Sequence, residues 1–321
     1  MNMLSLVVPV YRNEGSIPDL LAAIGELAQN IGMPFEAVLV VDGSPDRSYE
    51  LLRERLPHCS FASQLIVLSR NFGSFPAIRA GLQAGKGSIF AVMAADLQEP
   101  PELVLEMARI LAANQADVTL GVRRQRNDPL SSRWMASAFW GLYRRYVVPE
   151  VPPGGVDIFG CNRAFRDELL QLGESHSSLI AQIFWLGYRR QFVEYERQAR
   201  QHGVSAWTPR KKINYMMDSV FAFTDLPIRL LIRAGGLVAL GSGVFSAFVI
   251  VSRLAGWIAV PGYAMTVLAI VFFGALNLFA LGVVGSYAWR AYENTKARPL
   301  HVVLRAHAWS PGDNAGHDLP R

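Results

Sequence analysis

The chain has 321 residues, 51% of them hydrophobic, and a formal net charge of +5 at pH 7. That length holds one well-buried domain with further structure attached. Its two cysteines, Cys59 and Cys161, fit no metal-binding spacing and read as ordinary buried thiols of a reducing compartment.

The basic balance suits an anionic membrane surface or phosphate-bearing ligands. No recognised motif supports a nucleic-acid partner. The N-terminus runs straight into Leu4-Ser-Leu-Val-Val-Pro9 without a basic segment, so no signal peptide is expected. Short β-rich runs at 4–10, 37–41, 65–69, 89–93 and 118–122 alternate with helical apolar spacing at 16–31, 48–56, 75–84 and 101–113. Ser16 before Ile17-Pro18 marks one helix start and Pro100-Pro101 another. The alternation predicts an α/β domain whose mostly parallel sheet is covered on both faces. Ligands bind such sheets beyond the carboxyl ends of the strands. Tyr11-Arg-Asn-Glu14, Asp42-Gly-Ser44, Arg70-Asn71, Asp96-Leu-Gln98 and Arg123-Arg124 fall there.

Residues 128–145 form a basic, aromatic helical segment, followed by the loop Gly154-Gly-Val-Asp157. The stretch 213–233 sets Phe221, Phe223, Leu226, Leu230 and Leu231 against Asp218, Asp225, Arg229 and Arg233. It predicts one interfacial helix, or two broken near Pro227. Residues 234–251 and 264–287 are uncharged, each close to the ~20 residues a helix needs to cross a bilayer. Arg229 and Arg233 precede this hairpin; Arg290, Lys296, Arg298 and Arg305 follow it, and its loop carries only Arg253. The positive-inside rule then places both termini in the cytoplasm. Residues 310–321, rich in Gly, Pro, Asp and Asn, read as disordered. The expected plan is a catalytic domain over 1–207, juxtamembrane helices over 208–233, two membrane helices over 234–289 and a cytoplasmic tail over 290–321.

Five motifs precede the hairpin in order: Val7-Val-Pro-Val-Tyr-Arg-Asn-Glu14, Val41-Asp-Gly-Ser44, Leu68-Ser-Arg-Asn-Phe-Gly73, Met93-Ala-Ala-Asp-Leu-Gln-Glu-Pro-Pro-Glu102 and Glu196-Arg-Gln-Ala-Arg-Gln-His-Gly-Val-Ser205. The set resembles the family 2 glycosyltransferases. Within them it is similar to the polyprenyl-phosphate branch that holds bactoprenol glucosyltransferase, dolichol-phosphate mannose synthase and undecaprenyl-phosphate aminoarabinose transferase. The resemblance implies a GT-A-type nucleotide-binding domain and inverting transfer of a sugar from a nucleotide-sugar to a polyprenyl phosphate at a bacterial inner membrane. UDP-glucose is the preferred donor; mannose and modified pentoses stay open, as does a homo-oligomer.

The same resemblance implies the site. Pro9, Tyr11, Glu14 and Asp42 border the nucleotide; Asp96 and Gln98 hold Mg²⁺ or Mn²⁺; Arg123, Arg133, Ser137 and Arg200 surround the acceptor phosphate; Asp157 positions a sugar hydroxyl. By residue chemistry alone, Asp42 either faces a base or ribose or forms an Asx-turn, and Glu14 equally suits a helix dipole. Asp96 and Gln98, two apart, share a face, and their oxygens suit a hard cation. Arg133 and Ser137, four apart, share a helix face. Two departures from the family pattern stand out: Ala94 and Val41 occupy positions that usually carry aspartate. They motivate the competing reading of a degenerate sugar-nucleotide-binding protein. A processive polysaccharide synthase fits less well, because Ile183-Phe-Trp-Leu186 stands in place of a Gln-x-x-Arg-Trp motif.

Overall fold

A computed structural model describes residues 2–124, 140–141, 143–153, 155–198, 209–255, 263–312 and 316–318. Four β–α repeats open the chain: β1 (Leu4–Val10), α1 (Ile17–Asn30), β2 (Phe35–Val41), α2 (Ser48–Arg55), β3 (Ala62–Leu68), α3 (Ser74–Ala84), β4 (Ile89–Val92) and α4 (Pro101–Ala112). β5 (Val118–Arg123), β6 (Phe159–Asn162), α5 (Arg163–Gln171), α6 (Leu179–Trp185) and β7 (Arg190–Tyr195) follow. The last part comprises α7 (Pro209–Phe223), α8 (Leu226–Leu254), α9 (Tyr263–Thr295), β8 (Val303–Trp309) and β9 (His317–Asp318).

All the described strands form one sheet in the order β7-β5-β6-β4-β1-β2-β3-β8-β9. β1 pairs in parallel with β2 and β4, and β2 with β3, while β6 runs antiparallel between β4 and β5. The expected mostly parallel α/β sheet is what forms. Alternation along β1 explains the layering, since neighbouring side chains point to opposite faces. Leu4, Leu6, Val8 and Val10 pack with α1, α2 and α4, whereas Val7 packs with α3 and α5. Both faces are therefore dry, as a buried parallel sheet requires.

The expected tail needs correction. After α9 the chain returns to the sheet, and β8 pairs antiparallel with β3 from Ser63–Trp309 to Leu68–Val303. Trp309 is buried in the α1–α2–α4 face of the core, an anchor whose truncation costs about 3–5 kcal/mol. Within the stretch expected to be disordered, His317 and Asp318 pair with β8, and His307 Nδ1 lies 2.7 Å from Asp318 Oδ1. Composition over 310–321 missed the short strand β9, whose partner is β8 about ten positions earlier, because edge pairing is set by the neighbour.

Pro227 falls in the first turn of α8, where a missing N–H costs nothing, so the amphipathic stretch divides there into α7 and the start of α8. Two helices are long and apolar enough to cross a membrane, over Leu226–Phe245 and Phe272–Thr295. Both begin the apolar window at different residues from the expected spans. α7 docks on the sheet domain through hydroxyls: Ser178 Oγ lies 2.6 Å from Tyr215 Oη and 3.1 Å from Tyr143 Oη. Asp218 of α7 pairs with Arg290 of α9 at 2.9 Å, and Ser175 donates to Asn294 at 3.0 Å. The middle of α7 and the end of α9 thus rest on the loop before α6.

Candidate active site

The carboxyl ends of β1 and β2 are stapled to each other. Arg12, at φ 57°, donates its N–H to Ser44 Oγ at 2.8 Å. Glu14 N–H donates to Asp46 Oδ2 at 3.0 Å, while Glu14 Oε2 accepts the Arg47 N–H at 3.1 Å. Burial pushes the Asp46 carboxyl up, but hydrogen bonds from Ser44, Ser48 and the Glu14 N–H hold it below the ordinary range. Pro9 fits its strand because its nitrogen faces β4, and β1 parts from β4 after the Val7–Val92 pair. Arg12, Asn13, Glu14, Gly15, Ser16, Pro45 and Asp46 line a cavity of about 480 Å³. Ser16 Oγ donates to the Ala95 carbonyl at 2.9 Å, which sets this cavity beside the Asp96 loop.

Asp42 reaches across to the loop after β3. Only 3% exposed, it accepts the Phe72 N–H at 2.7 Å and the Gly73 N–H at 2.8 Å. Its carboxylate braces the loop that leads into α3. Gly43 permits this closeness: at φ 56° it lies where a Cβ would meet the Arg70 carbonyl carbon at 2.3 Å.

At the end of β4, Leu97 takes φ 54°, and Gln98 N–H turns back to Asp96 Oδ1 at 3.4 Å. Gln98 is clipped to the segment after β7. Its Oε1 accepts from Arg197 Nη2, and its backbone carbonyl accepts the Gln198 N–H at 2.9 Å. The fit to Mg²⁺ or Mn²⁺ is therefore uneven. Asp96, a partly exposed carboxylate, suits a cation that takes most of its ligands from a diphosphate and water. Gln98 does not, because the oxygen it would offer is turned to a guanidinium. Among the described residues no three His, Cys, Asp or Glu side chains are grouped around a common metal position.

Arg123 and Asp157 were expected to serve different substrates, but they face each other. Arg123 Nε and Nη2 donate to Asp157 Oδ2 and Oδ1, both at 2.6 Å, and Tyr195 Oη donates to Oδ2 at 2.6 Å. Arg123 and Tyr195 are register partners on β5 and β7, so the sheet itself aims both at the Asp157 loop. Burial opposes the Arg123 charge, but Asp157 outweighs it and holds the guanidinium protonated. Burial, then the Asp157 charge, push the Tyr195 hydroxyl up, so it stays a donor. A fork that already holds a carboxylate offers less to an acceptor phosphate than expected.

Glu99, Tyr195 and Arg197 belong to this cluster and were missed. Glu99 is 3% exposed with Oε2 unpartnered among the described residues. Burial raises its carboxyl to about 7, helped by Asp157 and Asp96 and opposed by Arg197 and Arg123. The signals were present, since Glu99 follows Gln98 and Arg197 stands inside a quoted motif, but which side chains converge depends on β5–β7 pairing. Arg133, Ser137 and Arg200 lie outside the described residues.

Residues 5–173 match the family model described as "Glycosyl transferase family 2". An uncharacterized glycosyltransferase of Synechocystis sp. is 32% identical over 301 residues, covering 94% of each chain. An undecaprenyl-phosphate 4-deoxy-4-formamido-L-arabinose transferase of Pseudomonas aeruginosa is 33% identical over 314 residues, covering 95% of this chain and 90% of that one. Among solved structures, mannosyl-3-phosphoglycerate synthase from Rubrobacter xylanophilus overlays with a TM-score of 0.49 at 14% identity, covering 73% of this chain and 75% of that one.

Proposed function

Because the chain belongs to glycosyl transferase family 2, we propose that it moves a sugar from a nucleotide-sugar to a polyprenyl phosphate at the cytoplasmic face of a bacterial inner membrane. The acceptor follows the relative that acts on undecaprenyl phosphate; the donor is UDP-glucose in this reading, with mannose or a modified pentose as the alternatives. One observation carries the membrane part. The sheet contains strands from before α8 and from after α9, so the apolar segment between them leaves and returns on one side. Both termini are then cytoplasmic. Trp289 and Tyr292, with Lys296 over both rings at 5.1 and 4.3 Å, form the aromatic and basic belt of an interface.

The chemistry follows from the acceptor. A phosphate monoester has its second pKa near ~6, so it attacks the anomeric carbon as a dianion and surrenders no proton. No general base is needed, and in-line attack inverts the centre. The protein's task is to orient the reactants and to stabilise the departing diphosphate. Asp96 would hold a divalent cation, which when bound would supply charge compensation to that leaving group. Asp157, fixed by Arg123 and Tyr195, presents a rigid anion to a sugar hydroxyl. The Asp42 brace and the Glu14–Arg47 staple shape the nucleotide side. Arg133, Ser137 and Arg200 take the acceptor phosphate, where arginine forks bind bidentately.

Purified full-length protein in detergent, given undecaprenyl phosphate and a panel of sugar nucleotides, tests this reading by mass spectrometry. One lipid-linked sugar is expected. Nucleotide binding without any transfer would favour the degenerate binding protein suggested by Ala94 and Val41.

A further inference from the structure

We propose that Arg197 binds the donor diphosphate directly, sharing with any metal the charge compensation that a lone Asp96 carboxylate leaves to be supplied. This rests on the nucleotide-sugar reading above and goes beyond it, since it assigns a residue and a metal response that the motif pattern does not imply.

Three observations carry it. First, the end of β4 holds a reduced acidic set: Ala94 brings no carboxylate, and the Gln98 oxygen is engaged. Second, Arg197 is held at that same loop. The Arg197–Gln98 bond and the Gln198–Gln98 backbone bond fix its position, yet its residue is solvent-exposed. Among the described residues its side chain bonds only Gln98, which leaves most of the guanidinium fork open. Third, among the described residues of the cluster it is the cation not already committed to a carboxylate. Arg123 is occupied by Asp157 through two 2.6 Å bonds, whereas Arg197 is bound to a neutral amide. Gln98 N–H bonds Asp96 Oδ1 at 3.4 Å while Gln98 Oε1 accepts from Arg197, so the guanidinium sits at the loop that carries the Asp96 carboxylate.

A diphosphate entering there meets the partly exposed Asp96 carboxylate and the exposed Arg197 guanidinium. The guanidinium matches two phosphate oxygens by geometry and stays charged at any working pH. A metal bridging Asp96 and the diphosphate would add to this attraction without being its sole source. Nucleoside diphosphate binding in this chain should therefore tolerate metal removal.

The experiment is calorimetric titration of the full-length protein in detergent with UDP and with GDP, each in Mn²⁺ and in excess EDTA. For the nucleotide that binds, wild-type affinity in EDTA is expected within roughly tenfold of that in Mn²⁺. Arg197→Gln should lower the EDTA affinity by roughly ten- to a hundredfold, the effect of losing a charged hydrogen-bond partner, with a smaller loss in Mn²⁺. Arg197→Lys, which restores the charge, should recover part of the loss, whereas a merely structural clip on Gln98 would already be kept by the amide N–H of Arg197→Gln. Ala94→Asp should shift the balance, weakening binding in EDTA and strengthening it in Mn²⁺. Complete loss of wild-type binding in EDTA, or an Arg197→Gln variant with unchanged EDTA affinity, overturns the proposal while leaving the donor reading intact. Failure of both nucleotides to bind even in Mn²⁺ overturns the two together.

Discussion

Arg123 and Asp157 meet through two parallel hydrogen bonds of 2.6 Å although 34 residues separate them in the chain. Their side chains are 13% and 20% exposed, so the pair is mostly withdrawn from water, and each member depends on the other. Asp157→Asn leaves a guanidinium without its anion and should cost about 3 kcal/mol in stability. Turnover should fall at least ~100-fold as the anion facing the sugar disappears. An apolar double variant, Arg123→Met with Asp157→Leu, should recover stability by denaturant titration without recovering turnover.

In the proposed reading Asp96 is the residue left to hold a metal, since the Gln98 oxygen is turned to Arg197. Asp96→Ala should reduce turnover by roughly a thousandfold or more, in line with loss of a group that stabilises the leaving charge. Near-normal turnover of that variant with added Mg²⁺ or Mn²⁺ would remove Asp96 from the site.

Gly43→Ala introduces a Cβ 2.3 Å from the Arg70 carbonyl carbon at a φ of 56°. Backbone meets backbone, so no side chain can swing aside. The variant should lose about 2–4 kcal/mol and weaken nucleotide binding, since the displaced loop carries the Asp42 contacts to Phe72 and Gly73. Thermal melting with and without nucleotide measures both effects.

Glu99 gives the site a pH signature. Its carboxyl is raised to about 7 from an unfolded value of 4.5. Between those values the native state binds a proton that the unfolded chain has released, so stability falls as pH rises through that window. Glu99→Gln removes the slope and should stabilise the protein at pH 8 by up to about 3 kcal/mol, while leaving pH 4.5 almost unchanged. Melting temperatures across pH 4.5–8 decide it; parallel profiles for the two proteins would refute the assignment.

With β8 paired to β3, the hairpin reading carries a topological prediction. Reporter fusions after Arg321 and near Gly262 should report opposite sides of the membrane, with the Arg321 fusion cytoplasmic. Reporters on the same side would rule out the hairpin.

By itself the sequence determined the β–α repeats, the two long apolar helices and the loops at the strand ends, because these depend on local periodicity and punctuation. Tyr11, Asp42, Asp96 and Arg123 could be placed at that edge for the same reason. What the tertiary structure decided is the pairing across it. β8 has little local signal and exists as a strand because β3 offers it an edge. Asp42 spends its oxygens on Phe72 and Gly73, Gln98 turns to Arg197, and Arg123 is taken by Asp157 because β5 and β7 align Arg123 with Tyr195. Such contacts join residues thirty to a hundred positions apart, and a side chain's partner at that range is set by strand order and register, which no local pattern encodes.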